Sequence, residues 1–301
     1  MKKQILECVA VAAAVGLMSA CGSGAAETTA AQTQGQAQTA GTKEDQAETA
    51  GEETEAQETG EDMADSGEEK EPVTILAAAA ASLKYSYDEE LIPIFEDKYP
   101  WITVEGTYDS SGKLQTQIEE GLEADVFMSA AMQQMEDLEA GGYVDPADEV
   151  RLLENKIVLI VPAGSESGLS SFEDIEKAET IALGDPESVP AGQYAKEALT
   201  SLELWDAVSA RASFGTNVTE VLNWVAEGSA DAGIVYATDA ATADQVTVVA
   251  EAPEGSLEGP GIYPVAVVKD SANREAAERF VEFLQSEEAM AVFEAYGFSP
   301  V

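Results

Sequence analysis

From residue 72 onward, short β-branched runs alternate with amphipathic stretches of helical period, which constrains this chain more than any other feature. Such alternation calls for sheet, mostly parallel, covered by helices. The strand runs are Val73–Ala78, Ile102–Thr107, Asp125–Ser129, Ile157–Val161, Thr180–Leu183, Asp231–Tyr236, Val246–Ala250 and Tyr263–Val268. Most are continuous apolar runs, as expected of strands buried on both faces. Helices are predicted over Tyr87–Tyr99, Lys113–Gly121, Met132–Ala140, Gly192–Leu202, Thr219–Glu227, Ala272–Gln285 and Glu287–Tyr296, several of them preceded by a Ser, Asn or Gly suited to capping. No internal repeat is visible. The run Ile157–Pro162 near the middle, answered by Tyr263–Val268 near the end, suggests two strands crossing between lobes, and ligands favour the cleft between such lobes.

The segment before residue 72 cannot share that core. Met1-Lys2-Lys3, an apolar run from Val9 to Met18 and small residues at Ser19-Ala20 follow the layout of a secretory signal. The run is far shorter than the roughly 20 residues that span a bilayer. From Gly22 to Glu71 there is no aromatic residue and almost nothing but Ala, Gly, Thr, Gln, Glu, Asp and Ser, so this stretch is expected to stay disordered. Flexible chain of that length has a root-mean-square reach on the order of 40 Å, which suits a tether.

Residue inventory removes several kinds of chemistry. The chain has no His, and both cysteines, Cys8 and Cys21, fall in the N-terminal segment, so residues 72–301 contain neither a catalytic imidazole nor a thiol, and no Cys/His metal set. Those residues hold 43 acids against 11 bases, a formal charge of about −32. Nucleic acid and anionic membranes need basic patches to displace counterions, so neither is an expected partner. Ser110-Ser111-Gly112-Lys113 matches the Ser-x-x-Lys of serine acyl enzymes, but the companion Ser-Asp-Asn and Lys-Thr-Gly motifs are absent. Gly106 and Gly112-Lys113 fail as a phosphate loop, because five residues separate the glycines where four are needed and Leu114 replaces the Ser/Thr.

A family resemblance lies in longer segments. Val73–Leu76 running into Ala77–Ala81 and Ser82-Leu83, then Asp109–Leu114, Ala124–Ala130, Gly184–Lys196, Gly233–Tyr236, Tyr263–Val268 and the closing Tyr296-Gly297-Phe298 resemble, in this order, the periplasmic molybdate-binding proteins of ABC importers. The likeness covers essentially all of residues 73–301. It implies an α/β, two-lobed periplasmic-binding-protein fold of type II, each lobe a mostly parallel sheet flanked by helices, with the ligand cleft between. The lobes expected are 72–157 with 267–301, and 158–266.

In that family uncharged donors hold the oxyanion, and the matching positions here are Ser82, Ser111, Ala191, Val218 and Tyr236. The first four stand at or just before predicted helix starts, where unpaired N–H groups favour an anion. Each serine alone would read equally as a plain helix cap, and Tyr236 as a half-buried tyrosine at a strand end. The Ala run before Ser82 is two residues longer than the family's usual Ala-Ala-Ala-Ser-Leu, which leaves room for a shifted Ser82 loop.

The resemblance further implies an extracytoplasmic receptor, not an enzyme. It would have no cofactor and no direct metal ligands, take molybdate or tungstate as cargo, work as a monomer and deliver to a membrane permease. Sulfate, phosphate or a small organic anion is the alternative ligand. The Ser-Ala-Cys ending of the leader resembles a bacterial lipobox, implying a signal peptide over 1–21, lipidation at Cys21, membrane attachment through that lipid and a tether over 22–71.

Overall fold

The computed structural model describes residues 71–301. The expected signal peptide, Cys21 and the tether lie outside the described residues.

Two sheets form the frame. The first has six strands in the order β11-β4-β10-β3-β1-β2: β1 (Val73–Ala80), β2 (Ile102–Asp109), β3 (Val126–Met128), β4 (Val150–Asn155), β10 (Gly261–Val267) and β11 (Ser299–Pro300). The second has five in the order β7-β6-β8-β5-β9: β5 (Ile157–Pro162), β6 (Ile181–Gly184), β7 (Ala212–Gly215), β8 (Ala232–Tyr236) and β9 (Val246–Glu251). In the first sheet β1 pairs parallel with β2 and β3, while β10 runs antiparallel to β3 and β4. In the second, β6 pairs parallel with β7 and β8, and β5 runs antiparallel to β8 and β9. Each sheet therefore has four strands pointing one way. β5 and β10 are reversed because each is entered directly from the other sheet, after β4 and after β9.

Those two entries are the places where the chain crosses between lobes. The first is a single residue, Lys156, between β4 and β5; the second is the stretch 252–260 between β9 and β10. The expected division at 266/267 is thus corrected, because it cuts through β10, which pairs with β3 and β4 of the first lobe over Gly261–Val267. The apolar run that reads as a crossing strand is a central strand, and both of its faces are covered: all seven of its residues are buried.

Helices cover both sheets. In the first lobe α1 (Lys84–Ser86) continues through a π turn (Tyr87–Leu91) into α2 (Ile92–Lys98), followed by α3 (Ser111–Glu119) and α4 (Met132–Gly141). The second lobe carries α5 (Pro190–Ser201), α6 (Trp205–Ser209), α7 (Val218–Ala226) and α8 (Ala237–Ala241), and α9 (Arg274–Leu284) and α10 (Glu287–Ala295) return to the first. Every strand run and helical stretch read from the sequence has a counterpart. β4, β7, β11, α6 and α8 come in addition; most are too short to show a period, and β4 is interrupted by Arg151 and Glu154.

The two cores differ in content. Phe95, Phe280 and Phe283 pack with centroids 4.9 and 5.4 Å apart, and Tyr87 meets Phe280 edge-on at 5.8 Å. Such geometries suit ring quadrupoles. The second lobe instead buries aliphatic stripes, among them Val218, Val221, Leu222 and Val225 of α7 at the i, i+3, i+4, i+7 spacing of one helical face.

Candidate functional site

The parallel strands of both lobes end at the same place. β1 ends at Ala80, β2 at Asp109 and β6 at Gly184, and the loop or helix after each turns into the interlobe cleft. Ligands bind outside the carboxyl ends of strands in sheets of this kind. A narrow cavity of about 10 Å³ lies there, lined by Ala80, Ala81, Ser82, Asp109, Ser110, Ser111, Ala130, Val189, Pro190, Ala191, Val218 and Tyr236. All five sequence-predicted positions converge on this one cavity.

Ser82 sits in a single 3-10 turn, Ala81–Leu83, directly after β1. Ala77–Ala80 pair residue for residue with Gly106–Asp109 of β2, so the longer Ala run is absorbed as strand up to Ala80. The Ser82 hydroxyl shares a 2.9 Å hydrogen bond with the Tyr263 hydroxyl, which also accepts from Asn155 Nδ2 at 3.2 Å. Asn155 donates as well to Thr238 Oγ1 at 2.8 Å. When Tyr263 donates to Ser82, the Ser82 proton is free to face the cavity, and such a chain of bonds polarises along its length.

Ser111 opens α3. It is fully buried, and its Oγ accepts from the Ala130 N–H at 3.0 Å, so its own proton remains available. The Tyr236 hydroxyl donates to the Ala130 carbonyl at 2.8 Å, so the backbone of one residue of the first lobe anchors a site hydroxyl from each lobe. Burial, then the neighbouring Tyr263, Tyr194 and Asp239, holds the Tyr236 hydroxyl well above its ordinary pKa. It therefore stays a neutral donor.

Backbone groups come from the second lobe. Ala191 is in the first turn of α5, behind Pro190, and Val218 begins α7; N–H groups in a first helical turn have no intrahelical acceptor. Gly192 lets α5 approach so closely that a Cβ would stand 2.2 Å from the Gly184 carbonyl oxygen at the end of β6. Asn217 caps α7 by accepting from the Glu220 N–H at 3.0 Å, which fixes the direction of the Val218 N–H.

No Lys or Arg lines the cavity, and Asp109 is its one charged residue. Its carboxylate is occupied: Oδ1 accepts from the Ser110 N–H at 2.8 Å, Lys113 Nζ at 3.1 Å and Asn217 Nδ2 at 3.3 Å. The last bond crosses the cleft. So does the bond from the Gly112 N–H to the Ser188 carbonyl at 3.0 Å, where a Cβ on Gly112 would lie 2.5 Å from that oxygen. Ser110, Asp109, Ala130, Asn155 and Tyr263 were missed as site residues by sequence reasoning. Ser110 and Asp109 had a signal in their adjacency to Ser111, whereas Asn155 and Tyr263 reach the site only through tertiary contacts.

Two lobes joined by two crossings, with helix starts and hydroxyls facing one small cavity, define a solute-binding protein. The chain matches the family described as bacterial extracellular solute-binding protein over residues 75–299, and it belongs to that family as a molybdate-binding-protein-like member. It is 44% identical over 234 residues to YvgL, a candidate ABC transporter substrate-binding lipoprotein of Bacillus subtilis (strain 168), covering 78% of this chain and 89% of that one. It is 38% identical to the molybdate-binding protein ModA of Haemophilus influenzae, covering 75% and 89%. Among solved structures, the substrate-binding domain of a candidate molybdenum ABC transporter from Clostridium difficile superposes with a TM-score of 0.59 at 38% identity, covering 76% of this chain and 99% of that one. The chain is thus a substrate-binding component of an ABC transporter, of a family that binds solutes and does not transform them.

Proposed function

We propose that this protein captures molybdate, and tungstate with it, outside the cytoplasm and delivers it to a membrane permease. One observation carries the reading: the cavity at the strand ends is lined by neutral donors from both lobes and by no basic residue. A desolvated dianion needs a donor for each oxygen, and fixed neutral donors penalise an anion of different size or protonation state. Ser82 and Ser111 would give hydroxyl protons, Ala191 and Val218 backbone N–H groups, and Tyr236 its proton once it releases the Ala130 carbonyl. Capture proceeds by the anion landing on one lobe and the other rotating over it, with the closed form recognised by the permease. No cofactor takes part, and the metal arrives as cargo inside its oxyanion. The net charge does not oppose this, because charges beyond about 8 Å are largely screened at physiological ionic strength.

Asp109 favours a second reading, since a carboxylate in an anion cavity can accept the proton of hydrogen phosphate. Its Oδ1 already accepts three N–H bonds, which weakens that alternative. Calorimetric titration of the full chain with molybdate, tungstate, sulfate and phosphate separates the two. Heat with the first two alone supports the molybdate and tungstate assignment, and heat with phosphate alone replaces it.

The same reading makes the protein a monomer held at the membrane by lipid on Cys21, with residues 22–71 as tether. Cys21→Ser should release it from the membrane fraction.

A further inference from the structure

Ser110 is the one cavity residue whose side chain is left without a role. It is 3% exposed, and its Oγ is buried with no hydrogen-bond partner. Buried polar groups are nearly always satisfied, so an orphan hydroxyl in a binding cavity calls for an explanation. Ser110 is also the N-cap of α3, in the extended conformation a capping serine adopts, yet its side chain makes no cap bond. A capping serine ordinarily accepts from the N–H two or three residues on. Two residues on is Gly112, whose N–H is taken by the Ser188 carbonyl of the other lobe.

We propose that the Ser110 hydroxyl is a sixth donor to the captured oxyanion, released from its capping duty when Gly112 bonds Ser188 across the cleft. This rests on the oxyanion reading above and adds a coupling to it. While the lobes are apart, the hydroxyl caps α3; when they meet, the other lobe caps α3 and the hydroxyl turns to the ligand. Lobe contact and ligand affinity then strengthen each other through a single exchange of hydrogen bonds.

The test is titration of the full chain and its Ser110→Ala and Ser110→Gly variants with molybdate and tungstate, alongside thermal melts without anion. A lost hydrogen bond to a charged group corresponds to a weakening of about 10- to 100-fold. The expected result is that loss for both variants, with the anion-free melting temperature of Ser110→Ala within a few degrees of the parent. Parent-like affinity in Ser110→Ala, measured where Ser111→Ala weakens binding, overturns the proposal and leaves the oxyanion reading standing. A parent chain silent with molybdate, tungstate, sulfate and phosphate overturns both.

Discussion

The two lobes meet at one cavity but equip it differently. The first supplies side chains, Ser82, Ser110 and Ser111, at the ends of β1 and β2; the second supplies mainly backbone, at the starts of α5 and α7, with Tyr236 as its hydroxyl. Their packing differs as well: Phe95, Phe280, Phe283 and Tyr87 cluster in the first lobe, while α7 buries an aliphatic stripe in the second. A side-chain donor can be removed by one substitution at little structural cost. A backbone donor can only be moved, by disturbing the packing that aims its helix. Function and stability should therefore separate in the first lobe and stay linked in the second.

The largest expected effect is on the aromatic core. Phe280→Ala should lower unfolding stability by about 3–5 kcal/mol, the range for truncating a buried aromatic, as read by urea titration. A loss under ~1 kcal/mol would mean that the Phe95, Phe283 and Tyr87 cluster does not hold the first lobe together.

Next is a buried charge in the second lobe. Asp239, on α8, is buried with Oδ2 unpartnered, and burial raises its pKa to about 7. The folded chain keeps a proton that the unfolded chain releases near its ordinary 3.8, so stability should fall as pH rises through that window. At about 1.4 kcal/mol per unit the loss is at most ~4 kcal/mol. Melts from pH 4.5 to 8.5 should show the parent losing stability relative to Asp239→Asn; parallel curves would remove Asp239 as the cause.

The direct comparison of the lobes is Ser111→Ala against Gly192→Ala. The first should weaken oxyanion binding by about 1.5–3 kcal/mol, beyond the ~1 kcal/mol of anion-free stability lost by leaving the buried Ala130 N–H without its acceptor. The second places a Cβ against the Gly184 carbonyl and should cost both affinity and ~1–3 kcal/mol of stability, because α5 must shift. Normal binding by Gly192→Ala would mean that the α5 start does not hold the anion. The smallest effect is expected at the exposed Lys84–Asp88 pair, where Lys84→Ala should change stability by less than ~1 kcal/mol in a thermal melt.

Much of the frame was legible because its signals are local. Ile157–Pro162 and Gly233–Tyr236 are apolar without interruption, and that alone marks strands buried on both faces. The five candidate positions were legible through resemblance, supported by the tendency of helix starts to carry free N–H groups. Ser110 was legible only as a neighbour of Ser111, where it reads as an ordinary cap; Ser188, 78 residues further on, takes the Gly112 N–H that such a cap would bond.

The sequence by itself determined the longer elements, the absence of imidazole and thiol chemistry from residues 72–301, and the order of the segments that converge on the cleft, because period, composition and motif are properties of neighbouring residues. Only the tertiary structure decided that Tyr263–Val267 completes the first sheet instead of crossing between lobes, that Asn155, Tyr263 and Ser82 form one chain of bonds, and that Asp109 is bonded to Asn217 of the other lobe where an anion would sit. Sheet membership and hydrogen-bond partners depend on groups far apart in the chain, and their pairing exists only after the two lobes have packed.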